Sequence, residues 1–436
     1  MRSILACSLL LGLAVPASAQ AVQPQHFPSY MDFQGRFLAV LSDADMVASA
    51  YNGPPIGPRT AAMTDMLTLF PLAGGMPGSA VSIPVGNAVT AWPSLLDFTP
   101  DGRTAYIAET ELPATPDAQS RADLVPSPWL RVVSLDADLS GAIVQEIDTE
   151  SRVIAVSVRP QGDVLVALTT GTDVPRVGVF AIGEDGRLGP MRSLPLDEAE
   201  GEAADIKWNP AGDILAVTMP GSDRIRFYVW DGERLAPHGN SVGGGKLPGV
   251  GHWSPDGRHF FVTHLHWGGD IENVYYGSEV STLAAIRIAP RDAAEPRHVI
   301  VSKVATGAAA EEFAVSPDGR SIVTLNMERS YAMPGDDDLT FYSSLSLVAW
   351  NPERERLHTI GTTPFEGILP EGITFDASGN FLAVANFAHF NPRRPVERTT
   401  VDIWRLVEPD GPRPMLVQTD IKLPVMRGAH VAKLVD

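Results

Sequence analysis

The sequence predicts an all-β fold, a seven-bladed propeller of four-stranded antiparallel blades. Three observations point there: one hairpin pattern that recurs along the chain, a composition suited to many turns, and no long helical periodicity. The repeat is a short apolar strand, a tight turn ending in glycine, and a second apolar strand. It reads SYMDFQGRFLAVLS at 29–42, LLDFTPDGRTAYIAE at 95–109, VSVRPQGDVLVALT at 156–169 and IKWNPAGDILAVTM at 206–219. It continues as GHWSPDGRHFFVTH at 251–264, FAVSPDGRSIVTLN at 313–326 and ITFDASGNFLAVAN at 373–386.

The turn glycines are Gly35, Gly102, Gly162, Gly212, Gly257, Gly319 and Gly379, spaced by 67, 60, 50, 45, 62 and 60 residues. Each interval is long enough for a four-stranded sheet with its loops, and glycine supplies the positive φ that such turns need. Further strand candidates follow the hairpins: MLTLFPL at 66–72, IRFYVW at 225–230, LSLVAW at 345–350 and VDIWRL at 401–406. The chain holds 39 Gly and 37 Pro, which favours short strands joined by turns over helices. Radial repetition protects the sheet edges that seven such units would otherwise expose. A string of β-sandwich domains is the rival arrangement, but it does not require the same hairpin seven times. GAHVAKLVD at 428–436 is expected to close the ring against the N-terminal blade, with its place among the four strands left open.

The N-terminus reads as a signal peptide over 1–19. Arg2 gives a positive start, Ile4–Val15 an apolar stretch, and Pro16-Ala17-Ser18-Ala19 a small-x-small cleavage pattern before Gln20. The single propeller domain is then 20–436, and the expected location is periplasmic or secreted. The apolar run falls short of the roughly 18 residues that a membrane span requires, so no membrane insertion is expected. Cys7 resembles a lipoprotein cysteine, but the apolar run continues beyond it. If Cys7 leaves with the signal, the mature chain has no thiol, which excludes disulfides and cysteine nucleophiles. A net charge of −19 argues against nucleic acid and anionic lipid as partners.

The segments SPDGR, NPAGD and LPEGITFDASGNFLAVAN, and above all DIKWNPAGDILAVTMPGSDRIRFYVWDGERL at 205–235, resemble the YVTN-repeat and lactonase-type seven-bladed propellers. That superfamily includes 6-phosphogluconolactonase-like proteins. The resemblance covers all seven units in pattern and implies the fold, with lactonase-like chemistry as an expectation. The hairpin itself is structural and serves enzymes and non-enzymes alike.

Registering the units on their glycines sorts the innermost strands by face. Four residues before each glycine the side chain is apolar, as packing between blades requires. Strand alternation turns the neighbouring positions toward the channel. Five before the glycine stand Asp97, Ser157, Lys207, His252, Ala314 and Thr374, with Tyr30 in the first unit; seven before it stand Asp205 and Glu312. Water-solvated channel groups would look the same.

Seven residues after the glycine the second strand ends in Ser42, Glu109, Thr169, Met219, His264, Asn326 and Asn386. The loops beyond are long and polar (264–273, 326–338 and 386–395), which points to a ligand site at that mouth.

His252 and Glu312 are the acid/base candidates. Lys207, Asp205, His264, Asn326, Arg329, Asn386 and His389 are the candidate substrate contacts. His264 and His266, two apart on a strand, are a candidate metal pair still short of ligands. Glu311, Glu312 and Glu371 precede inner strands and would suit calcium at the channel mouth. Asp336, Asp337 and Asp338 lack the spacing of a calcium loop. No motif requires a cofactor; a divalent metal is the one admissible addition. No serine-hydrolase elbow, H-E-x-x-H or P-loop is present in a fitting context.

Two readings of function remain. One is an exported lactonase-like hydrolase acting on a small polar ligand. The other is a non-catalytic propeller that binds a ligand or an envelope protein on its loop face.

Overall fold

The computed structural model describes residues 31–436 apart from 58–59, 61–62, 89, 171–174, 200, 267–279, 334, 338, 389–396, 410 and 412–413. Residues 1–19, Cys7 and His389 therefore lie outside the described residues. Asp32–Asp436 forms one compact unit.

Among the described residues the strands form seven antiparallel sheets. Blades 2 to 7 each run outward in chain order. Blade 2, for example, is Leu96–Phe98, Thr104–Ala108, Trp129–Leu135 and Gly141–Asp148. The innermost strands of blades 3 to 7 are Val153–Val158, Asp205–Trp208, Pro248–Trp253, Ala310–Val315 and Ile368–Phe375. Neighbouring innermost strands touch all the way round, so the blades enclose a central channel.

Blade 1 departs from this order. Its innermost strand is Ala429–Val435, followed outward by Phe37–Ser42, Met66–Ala73 and Val81–Pro84. The segment before Gly35 thus does not supply the inner strand of the first unit. The C-terminal strand takes that place, with Leu38 opposite Leu434, Ala39 opposite Lys433 and Leu41 opposite Val431. The last strand completes the first sheet and leaves Phe37–Ser42 buried and paired on both sides.

The hairpin turns explain the repeated sequence. Gly102, Gly162, Gly212, Gly257, Gly319 and Gly379 have φ between 62° and 74°, the left-handed region. The proline of one turn packs on the glycine of the next blade. A Cβ would lie 2.9 Å from Pro100 at Gly162, 2.9 Å from Pro255 at Gly319, and 3.2 Å from Pro317 at Gly379. The Pro–x–Gly spacing therefore sets the turn and joins adjacent blades.

Apolar faces fill the gaps between sheets. Phe98, Trp208, Trp253 and Phe375, each four residues before a turn glycine, are buried. Edge-on aromatic contacts cross the gaps, with Phe37 to Phe98 at 5.5 Å and Phe227 to Trp253 at 5.9 Å between ring centres. No described helix is long and apolar enough to cross a membrane.

Candidate functional site

Strand register places the channel side chains in levels. Lys433, Asp97, Ser157, Lys207, His252, Ala314 and Thr374 face equivalent residues of their second strands, so the seven blades each contribute one position to a ring. Asp205 and Glu312 stand two residues earlier on their strands, opposite Thr218 and Leu325.

Between these levels the polar groups meet. His252 Nε2 lies 2.7 Å from Glu312 Oε1, and the same oxygen accepts the Phe313 main-chain N–H at 2.7 Å. The His252 ring stands edge-on to Phe313 at 4.8 Å. Lys207 Nζ is 3.4 Å from Asp205 Oδ1 and donates to Ser94 Oγ at 3.0 Å. Lys433 forms an ion pair with Asp97. Burial pulls the Lys207 ammonium down, but the carboxylates of Asp205, Glu312 and Asp97 outweigh it and hold its pKa above the ordinary lysine value. Lys207 is thus a cation at neutral pH.

A cavity of about 460 Å³ is lined by Lys207, His252, Glu312, Thr374 and Lys433, among others. It also reaches Pro255, Ser316, Pro317 and Asp376, which belong to the hairpin turns, so it lies toward the turn end of the channel. Asp97 and Asp205 have a second task there. Asp97 Oδ2 accepts the Val158 N–H at 2.7 Å and Asp205 Oδ2 the Gly251 N–H at 3.0 Å, each from the next blade. These two carboxylates staple neighbouring blades of the ring together.

At the opposite end, where the long loops gather, an apolar cluster closes over the blades. Met46, Ala48, Ala50 and Ile56 from the loop after Phe37–Ser42 pack with Leu265, Met327, Tyr331, Leu369 and Phe387 of blades 5 to 7. Asn52 Nδ2 donates to the Tyr331 carbonyl at 2.8 Å and anchors this plug. Glu311 and Glu371 are buried at the starts of their inner strands. Burial, with the charge of Glu312 beside it, pushes Glu311 up to about 8. Burial, then Glu311 and Asp43, raise Glu371 well above the carboxylate range.

These shifts have a definite sign. A carboxyl whose folded pKa is raised holds its proton in the native state at pH values where the unfolded chain has released it. The stabilising contribution is full below the ordinary glutamate pKa and declines as pH rises toward about 8. Glu311→Gln removes the titration. Its melting temperature relative to the unmodified chain is expected to climb between pH 5 and pH 8. A difference that stays flat with pH would contradict the assignment.

The structure separates His264, Asn326 and Asn386 from the channel cavity. All three are fully buried toward the ends of second strands, each tucked under a glycine of the preceding blade's outermost strand or of the connection that leaves it. A Cβ at Gly244 would lie 2.7 Å from His264 Cε1, one at Gly307 2.6 Å from Asn326 Nδ2, and one at Gly367 2.5 Å from Asn386 Oδ1. Glu109 is covered by Gly86 in the same way. Asn326 Nδ2 donates to Ser344 Oγ and Ser346 Oγ at 2.9 and 3.0 Å, within its own blade. Arg329 is half-buried in the following loop, where its N–H donates to Thr340 Oγ1 at 3.1 Å.

The His264 and His266 ring centres are 6.1 Å apart, and His266 Nε2 lies 2.8 Å from Thr282 Oγ1. Burial, then His266 and Lys303, push His264 down to about 3, so its ring is neutral. Among the described residues no third His, Cys, Asp or Glu completes a metal set with this pair.

Register reasoning from the hairpins misses Lys433. The only signal for it is the alternation in HVAKLVD, because the closing strand carries no turn glycine of its own.

The family model described as "Lactonase, 7-bladed beta-propeller" matches residues 205–389, which include His252 and Glu312. No curated protein matches the chain. Among solved structures, the periplasmic gluconolactonase PpgL of Pseudomonas aeruginosa superposes with a TM-score of 0.60 at 16% identity, covering 92% of this chain and 99% of that one. A protein from Bacteroides fragilis, whose assignment as a 6-phosphogluconolactonase is itself provisional, gives a TM-score of 0.60 at 17% identity, covering 94% and 100%. At these identities the likeness is one of fold.

Proposed function

We propose that this chain, whose fold is that of the lactonase-type seven-bladed propellers, is an exported hydrolase that opens a sugar-type lactone in the channel cavity. The observation that carries the reading is the His252–Glu312 pair at 2.7 Å, facing the same cavity as Lys207. A carboxylate only accepts, so the His252 nitrogen bonded to Glu312 carries the proton. That tautomer presents the Nδ1 lone pair as a base.

A water beside Nδ1 gives up its proton as its oxygen bonds to the lactone carbonyl carbon. Negative charge then develops on the carbonyl oxygen, where an ammonium such as Lys207 stabilises it. Collapse breaks the ring C–O bond, and the proton on His252 returns to the departing ring oxygen. The product is the open hydroxy acid. Glu312 keeps the imidazole oriented and balances its charge while it holds the extra proton.

The rival reading, a non-catalytic envelope-binding propeller, draws on the exposed Phe341 and Tyr342 beside a groove lined by Glu328, Ser344 and Thr362. Convergence of titratable groups in one cavity favours the hydrolase. The deciding experiment is a pH-stat assay of the purified chain on five- and six-membered sugar lactones, with thermal shift against the matching sugar acids. Turnover above the spontaneous rate supports the proposal. Absence of both turnover and shift across the panel returns the case to the non-catalytic reading.

A further inference from the structure

Asp205 takes no part in the chemistry written above, yet it is bonded to both strands that carry it. The residue is 1% exposed and is not among those lining the channel cavity. Both of its carboxylate oxygens are committed. Oδ1 accepts the Ile206 main-chain N–H at 2.8 Å and lies 3.4 Å from Lys207 Nζ. Oδ2 accepts the Gly251 N–H at 3.0 Å, across the gap between blades 4 and 5.

Gly251 directly precedes His252, so the bond to Asp205 reaches within one residue of the imidazole. Only glycine fits there, because a Cβ would lie 2.1 Å from the Phe260 ring. Pairing of this strand with His259–His264 also shifts register between Pro248 and Gly251, and such a shift re-aims the side chains that follow. A second tie crosses the same gap, with Trp253 Nε1 donating to the Lys207 carbonyl at 3.2 Å. The strand of Lys207 thus grips the strand of His252 on both flanks of that residue.

The contacts of the ammonium are unequal. Ser94 Oγ, at 3.0 Å, is a neutral acceptor, so of the two groups in contact with Nζ only Asp205 carries charge. Burial opposes the Lys207 charge, and the Asp205 carboxylate is the largest of the influences that outweigh it. On the far side, Glu312 of blade 6 holds His252. Contacts therefore run from Lys207 through Asp205 and the Gly251–His252 peptide to Glu312, over three blades.

We propose, on the premise that the channel cavity is the reactive site, that Asp205 is a positioning residue rather than a substrate contact. It fixes the Lys207 ammonium relative to His252 by bonding to the first and to the peptide that leads into the second. The base and the charge partner sit on different blades, and their separation is set by what spans the gap. An ammonium displaced by about 1 Å stabilises a developing oxyanion less, a loss on the order of 10²-fold in rate.

The chain has five lysines, so carbon-13 at lysine Cε gives five signals, and the one lost in Lys207→Met is Lys207. Asp205→Asn keeps the shape of the side chain and drops its charge. In that variant the Lys207 titration midpoint is expected to fall by at least about 1 pH unit. An unmoved midpoint in the folded variant overturns the proposal. On a lactone that the unmodified chain opens, Asp205→Asn is expected to lose roughly 10²-fold in kcat with KM held. A raised KM with kcat held makes Asp205 a substrate contact and overturns the proposal as well. No turnover by the unmodified chain sinks the lactonase reading instead, and the lysine titration alone then decides the role of Asp205. Should Asp205→Asn fail to fold by circular dichroism, Lys207 in the unmodified chain decides. A midpoint above that of free lysine supports the ion pair, and one at or below it rejects the proposal.

Discussion

A chain truncated after Gly428 is expected to lose its cooperative thermal transition, or to melt at least about 10 °C below the full chain. Ala429–Val435 pairs along the whole of Phe37–Ser42, a strand whose six residues are all buried. Removal strips one side of that pairing and uncovers an apolar sheet edge, which invites association. It also removes buried Val431 and Val435, each worth roughly 1.5–3 kcal/mol of apolar burial. The ring contacts to Ile368–Phe375 and Leu96–Phe98 go with them.

Gly428→Ala offers a milder companion variant. Gly428 has φ of 80°, and a Cβ there would overlap the Asp43 carbonyl, a backbone atom that cannot rotate away. A loss of about 1–3 kcal/mol with the transition still cooperative is expected. Far-UV circular dichroism melts read both variants. A truncated chain that melts cooperatively at the full-length temperature would show that the closing strand is dispensable.

On a lactone that the chain opens, His252→Ala is expected to lower kcat by about 10²–10⁴ with little change in KM. The variant removes the imidazole that the proposed mechanism uses as its base, the group bonded to Glu312. Glu312→Gln should fall in the same direction, because the amide still reaches the Phe313 N–H but no longer balances an imidazolium. The double variant should be scarcely worse than the worse single one, since the two side chains act as a unit. Lys207→Ala is expected to reduce kcat/KM through lost charge stabilisation. Full activity in Glu312→Gln, with fold intact, would remove the pair from the mechanism.

The register of the channel-facing positions is legible in the sequence. Strand alternation has a period of two, and a shared turn glycine gives each hairpin a common origin. Asp97, Lys207 and His252 could therefore be assigned to one level, and Asp205 and Glu312 to the next, before any coordinates. The same count assigned His264, Asn326 and Asn386 to the ends of their second strands, but not their surroundings. Their cover comes from Gly244, Gly307 and Gly367, which belong to the preceding blade's outermost strand or to the connection leaving it.

What the sequence determined by itself, then, is whatever repeats locally: the six hairpins of blades 2 to 7, their turn conformation, and the face that each inner-strand side chain takes. Only the tertiary structure decided which strand completes blade 1, which end of the channel is plugged, and that Asp205 meets the strand of His252. Each of these depends on contacts between segments far apart in the chain. Lys433 meets Asp97 across 336 positions, and Asn52 meets Tyr331 across 279. A periodic pattern encodes the direction of a side chain relative to its own strand. The partner it meets is set by ring closure and by the packing of loops that carry no period at all.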